Sequence, residues 1–234
     1  MLYTQTAAPR TLELLKKLES EPPLASFSLA GGTALAFYLG HRISVDLDLF
    51  TPESFDVKRL ETFLTKHYGF RTDFMESDTL KGTIDGVKID CIAHKYPYLR
   101  PPYEESGIRL YSMEDIIAMK LSAIADDGSR LKDFVDIACL STRFPFYDML
   151  KCYERKFPQA NVIRPFKAVT YFDDIDFDET VVMLNFEYDW SRIAERLRNM
   201  TVEQSRIFGE LPLRSENRTS EKGETVVRKQ GKKR

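Results

Sequence analysis

Residues 29–50 read LAGGTALAFYLGHRISVDLDLF, and this stretch decides the fold. Gly31 and Gly32 open a run, TALAFYLGH, with the composition of a helix, and Gly40 is placed to close it. Behind it, VDLDLF alternates Leu47 and Leu49 with Asp46, Asp48 and Phe50, the period of two of a strand. The short apolar run FSLA precedes the glycines, so the segment reads strand, helix, strand. Asp46 and Asp48, two residues apart on a strand, point to one face. Carboxylates held that close resist joint ionisation unless a divalent cation compensates them, and hard oxygen ligands of this kind suit Mg²⁺.

A third carboxylate follows downstream. DVKRLETFLTKHYGF places Val57, Leu60, Phe63 and Leu64 at helical spacing and ends at Gly69. Asp85-Gly86 then separates TLKGTI from VKIDCI, a strong hairpin signal. In the second of these strands Val87, Ile89 and Cys91 share one face, which leaves Lys88 and Asp90 on the other. If the hairpin brings this strand beside VDLDLF, Asp46, Asp48 and Asp90 make a two-metal site for in-line phosphoryl or nucleotidyl transfer. Gly31-Gly32-Thr33 at a helix mouth supplies free backbone N–H groups and room for a phosphate.

HKYPYLRPPYEE reads as a loop, with a short strand near Ile108 to Leu110. From Ser112 the pattern turns helical, and Ser112 with Asp115 resembles a capping box. In MEDIIAMKLSAIA, Lys120 falls on the stripe of Met113, Ile116, Ile117, Leu121 and Ile124, where an apolar side chain is expected. Either it pairs with a carboxylate or snorkels, or it reaches into a cleft to hold a triphosphate. The next helix, RLKDFVDIACLS, carries Arg130, Lys132, Asp133 and Asp136, and their spacing favours i,i+3 pairs on a solvated face. Further helices are expected over about 145–157, 160–170 and 189–209. The implied organisation is an α/β domain over 1–110, a mostly helical domain over 111–212, and a disordered polar and basic tail over 213–234.

The composition permits this without naming a partner. The chain has 234 residues, 43% hydrophobic and 30% charged, enough for a sizeable core. Lys and Arg (34) nearly balance Asp and Glu (36), so bulk charge argues neither for nor against nucleic acid. Cys91, Cys139 and Cys152 show neither disulfide nor zinc spacing. No stretch approaches the apolar length of a membrane span, and a reducing, cytoplasmic setting is the expectation.

Taken in order, GGTALAFYLGHRISVDLDLF, KIDCI and DIIAMKLSAIADDGSRLKDFVDIACL resemble the AbiEii/AbiGii toxin family of nucleotidyltransferases over most of residues 25–142. The resemblance implies a polymerase-beta-like nucleotidyltransferase fold, a mixed sheet flanked by helices, followed by a helical domain. It implies a glycine turn at Gly31-Gly32, with phosphate contact from Thr33 or from the backbone. It further implies a metal-binding pair at Asp46 and Asp48, a third carboxylate at Asp90, a nucleotide-phosphate contact at Lys120 and a catalytic aspartate at Asp133. Arg42 and Ser44 match the HRxSxDLD lead-in. An NTP substrate, Mg²⁺, an acceptor hydroxyl such as that of tRNA, and a cognate antitoxin follow from the same resemblance. The alternatives are a catalytically silent binding protein of this fold and a nucleotidyltransferase acting on a small molecule such as an aminoglycoside.

Overall fold

The computed structural model describes residues 1–215. Helix α1 (Pro9–Ser20) starts on a proline at its first position, where no N–H is needed, and stops before Pro22-Pro23. Strand β1 (Ser28–Leu29) leads directly into α2 (Gly31–Leu39), which Gly40 ends in the left-handed region at φ 65°. Strand β2 (Leu47–Thr51) and α3 (Val57–Tyr68) follow. Then come β3 (Arg71–Glu76), β4 (Thr79–Ile84) and β5 (Val87–Ala93), the last two joined at Asp85-Gly86 as expected.

These strands build one seven-stranded mixed sheet together with β6 (Tyr103–Glu105) and β7 (Ile108–Leu110), in the order β3-β4-β5-β2-β1-β7-β6. The pairs β2–β5 and β1–β7 are parallel and the rest antiparallel. The expected loop 94–105 is therefore a loop only to residue 102. Tyr103–Glu105 forms a hairpin with β7 around Ser106-Gly107, because both turn residues take positive φ.

The helical part comprises α4 (Met113–Asp126), α5 (Leu131–Leu140), α6 (Phe146–Lys156), α7 (Ile163–Ala168) and α8 (Trp190–Val202). The last helix stops at Val202 rather than near 209. In the expected capping box the Ser112 hydroxyl accepts from the Asp115 backbone N–H, and Asp115 adds a buried ion pair to Lys156 at 2.7 Å. One hydrophobic cluster takes in Leu29, Leu35 and Leu49 together with Tyr111, Ile117, Leu121 and Phe134, so the core passes through the proposed boundary at residue 110.

The segment around Val182 also crosses that boundary, since the Ile43 N–H donates to the Val182 carbonyl at 2.8 Å and the Leu184 N–H to the His41 carbonyl at 3.0 Å. Residues 213–215, expected in the tail, take part in the fold. Leu213 is buried, and β9 (Arg214–Ser215) pairs with β8 (Phe186–Glu187). The remainder of that tail, 216–234, lies outside the described residues.

Candidate active site

The parallel pairing of β2 with β5 places Asp48 directly opposite Asp90, and the antiparallel pairing of β5 with β4 places Asp90 opposite Lys81. Three charged residues thus form a row across three neighbouring strands. Lys81 Nζ stands 3.1 Å from Asp90 Oδ2, while Asp90 Oδ1 is buried without a hydrogen-bond partner. Burial first, and the Asp90 carboxylate second, push the Asp48 pKa up to about 6. Asp46 sits one residue before β2, which starts at Leu47, and its side chain is exposed. The expectation that Asp46 and Asp48 share a strand face is corrected to that extent, although Asp46 is near enough to contribute to the Asp48 shift.

The two glycines make room for side chains of the site itself. Gly31 has φ +64°, and a Cβ there would lie 2.0 Å from Asp48 Oδ2. A Cβ on Gly32 would lie 2.3 Å from an Arg42 guanidinium nitrogen. Thr33 is buried and its hydroxyl lies 2.8 Å from Ser44 Oγ and 2.5 Å from the Asp46 carbonyl, to which it donates. It clamps the strand lead-in to the helix, so a phosphate at this turn would meet backbone N–H groups of Gly31 and Gly32 and not the Thr33 side chain.

Beneath the turn lies a buried charge network centred on Asp136. Arg42 donates to both of its oxygens, at 2.7 and 2.9 Å, and Lys120 Nζ is 2.9 Å from Oδ2. His41 Nε2 lies 2.8 Å from Oδ1. Burial by itself would raise the Asp136 pKa, but Arg42 and Lys120 outweigh it and hold the carboxyl well below its usual range. Burial lowers the His41 pKa, so the neutral ring carries its proton on Nε2 and donates to Asp136. Lys120 also reaches Asp133 Oδ1 at 2.5 Å. Burial would discharge this lysine, yet Asp133 and Asp136 raise its pKa and keep it charged. Its ammonium donates a hydrogen bond to Asp133 and stands in ion-pair contact with Asp136, so donor capacity remains.

The solvated face expected for RLKDFVDIACLS is overturned: every residue of α5 except Lys132 is buried, Asp133 and Asp136 included. Asp136 and His41 were missed because spacing alone treats charged residues as surface. The available signal was that positions 134, 135 and 137–140 are all apolar, leaving no polar side to the helix. Lys81 was missed too, although counting outward from Asp85-Gly86 pairs it with Asp90.

One cleft of about 860 Å³ is lined by Gly31, Gly32, Asp48, Lys120, Arg130 and Asp133 together with residues of α6 and α7. A buried orphan oxygen on Asp90, a neighbouring carboxylate with a raised pKa, and a glycine that clears space for Asp48 are a donor set that suits a hard divalent cation. Among the described residues no three carboxylates close around one point.

A family profile described as nucleotidyl transferase AbiEii toxin, type IV TA system, matches residues 13–205. The chain belongs to the AbiEii nucleotidyltransferase toxin family. It is accordingly an enzyme of nucleotidyl transfer. An uncharacterized protein of Aquifex aeolicus (strain VF5) is 33% identical over 189 residues, spanning 78% of this chain and 90% of that relative. Two crystal structures of proteins from Helicobacter pylori are also similar. One shares 19% identity at a TM-score of 0.48, covering 83% of this chain and 94% of the other. The second, JHP933, shares 17% at 0.48 over 84% and 92%.

Proposed function

We propose that this AbiEii-family enzyme carries out Mg²⁺-dependent transfer of a nucleotide from an NTP to an acceptor hydroxyl, with an RNA such as tRNA as acceptor. In this proposal it is the cytoplasmic toxin of a type IV toxin–antitoxin or abortive-infection pair, held in check by a cognate antitoxin. Among the described residues no helix is long and apolar enough to cross a membrane. The observation that carries the chemistry is that Asp48, which lines the cleft beside Gly31, Gly32 and Lys120, has Asp90 as its register partner on the neighbouring strand.

Asp48 and Asp90 would hold the cation, with Asp46 adding negative charge beside them, and the cation when bound supplies charge stabilisation on the phosphate oxygens and acidifies the acceptor hydroxyl. The backbone N–H groups at the glycine turn and the remaining donor capacity of Lys120 orient the triphosphate. Asp133 and Asp136 keep Lys120 charged and fixed in direction. Asp90, with Oδ1 free and Oδ2 on Lys81, accepts the acceptor's proton. The acceptor oxygen then bonds to the α-phosphorus as the bond to the leaving pyrophosphate breaks.

The test incubates the enzyme with each α-labelled NTP, Mg²⁺ and total RNA. Label should enter RNA with release of pyrophosphate, and both Asp48→Asn and Asp90→Asn should abolish it while leaving the thermal transition in place. Equal incorporation by both variants would sink the metal-site assignment. Nucleotide binding without any transfer would turn the proposal towards a silent binding protein.

A further inference from the structure

The cleft has two chemically different ends. Along β2 the residue after next from Asp48 on the same face is Phe50, and along β5 the face that carries Asp90 continues through Ile92 towards His94. At about 3.3 Å per residue, the Phe50 level lies roughly 7 Å from the carboxylate row and the His94 level about twice that. Beyond them the lining carries four rings, those of His94, Tyr96, Tyr153 and Phe157, with Arg155 and Lys156 between the last two.

These rings touch one another in sequence. His94 and Phe50 have centroids 6.1 Å apart, His94 and Tyr96 5.0 Å, Tyr96 and Phe157 4.7 Å at 81°, and Phe157 and Tyr153 5.3 Å. Tyr96 meets Phe157 at a steep angle yet remains 42% exposed, whereas Phe157 is 7% exposed. A ring supported from below and open to the cleft is a stacking platform.

The platform is also held still. The His94 N–H donates to the Thr51 carbonyl and the Tyr96 N–H to the His94 carbonyl, each at 2.7 Å. Lys156, next to Phe157, bonds Asp115 Oδ1 at 2.7 Å and the Pro97 carbonyl at 3.2 Å. Asp115 in turn accepts from the Leu99 N–H at 3.0 Å. The Tyr- and Pro-rich loop is therefore pinned to both α4, through Asp115, and α6, through Lys156.

We propose that this aromatic end is the nucleobase subsite, with the base stacked on the open face of Tyr96 and braced by Phe157 and His94. The inference rests on the nucleotidyltransferase reading above. It assigns the recognised chemistry at this end, a planar aromatic heterocycle, and the direction in which the nucleotide lies, its phosphates towards Lys120 and the Gly31-Gly32 turn. Stacking tolerates any base because each has a π-face, so Tyr96 sets affinity for the nucleoside and not the choice among bases.

The test measures dissociation constants of α,β-imido analogues of the four NTPs, and of inorganic tripolyphosphate, with Mg²⁺ present. Tyr96 is exposed enough for substitution without opening the core. Tyr96→Ala should weaken the analogues roughly tenfold or more, leave tripolyphosphate unchanged, and be rescued by Tyr96→Phe. In Tyr96→Trp the new indole emission should be quenched by the analogues and not by tripolyphosphate. Analogue binding unchanged in Tyr96→Ala overturns the subsite and leaves the nucleotidyltransferase reading standing. Equal loss of analogue and tripolyphosphate overturns it as well. A native chain that binds neither ligand overturns the parent reading, and the subsite with it.

Discussion

Gly31 and Asp48 occupy one space: a Cβ on the glycine would sit 2.0 Å from the aspartate's Oδ2. The first residue of α2 and the second residue of β2 are thus a matched pair, and the positive φ of Gly31 adds a backbone reason for the same choice. Gly31→Ala should displace Asp48 and strain the turn together, lowering stability by about 1–3 kcal/mol and removing nucleotidyl transfer. Gly69→Ala is the control, since it also has positive φ but nothing within 4 Å of its Cβ. It should lower the melting temperature modestly and leave transfer intact, as thermal melts and label incorporation would show.

Removing the buried anion at the hub should be far more damaging than removing one at the cleft. Asp136→Asn leaves Arg42 and Lys120 buried with reduced compensation, a change that costs about 3–5 kcal/mol. For a chain of this size that amounts to a fall in Tm on the order of 10 °C. Asp48→Asn relieves repulsion with Asp90 and should leave the metal-free Tm unchanged or raised. Equal losses in the two variants would contradict the burial and pairing described for Asp136.

Glu19 provides a pH signature outside the site. It is buried, with Oε2 accepting from the Arg109 N–H at 2.7 Å and Oε1 without a partner. Burial pushes its pKa from 4.5 up to about 7. A carboxyl with a raised folded pKa contributes fully below its unfolded pKa, and that contribution is lost as the pH rises through the folded value. Relative to Glu19→Gln, the native chain should therefore lose about 3 kcal/mol between pH 4.5 and 7, at 1.4 kcal/mol per unit. Denaturant melts of both proteins across that range would check it. A pH-independent difference would show that Glu19 ionises normally.

Lys81 competes with any cation for Asp90. Its ammonium sits 3.1 Å from Oδ2 and repels a divalent ion at the same carboxylate. Lys81→Met should tighten Mn²⁺ binding, read by electron paramagnetic resonance, by several-fold or more, and Asp90→Asn should cancel the gain. Weaker Mn²⁺ binding in Lys81→Met would instead mean that the lysine orients Asp90 for the metal.

The local elements were legible because local rules govern them. Glycines at 31, 40 and 69, the Asp85-Gly86 turn and the alternation in VDLDLF and VKIDCI specify helix ends, a hairpin and strand faces from neighbours alone, and the structure follows them. The resemblance to AbiEii nucleotidyltransferases lay in the same stretches, and the family profile bears it out. The helix of Asp133 and Asp136 was misjudged because a charged residue's burial depends on its partners, here Lys120 of α4 and His41 and Arg42 of the strand lead-in, which are separated from it in sequence.

By itself, then, the sequence determined the helix from Gly31, the strands that carry Asp48 and Asp90, the Asp85-Gly86 hairpin, and the family. Only the tertiary structure decided that Asp48 and Asp90 are opposite each other, that Gly31 and Gly32 yield space to Asp48 and Arg42, and that Asp136 gathers Arg42, His41 and Lys120. Register between strands separated by a helix and a hairpin, and the low-dielectric surroundings that make one ion pair stabilise another, arise from packing across the chain and not from any window along it.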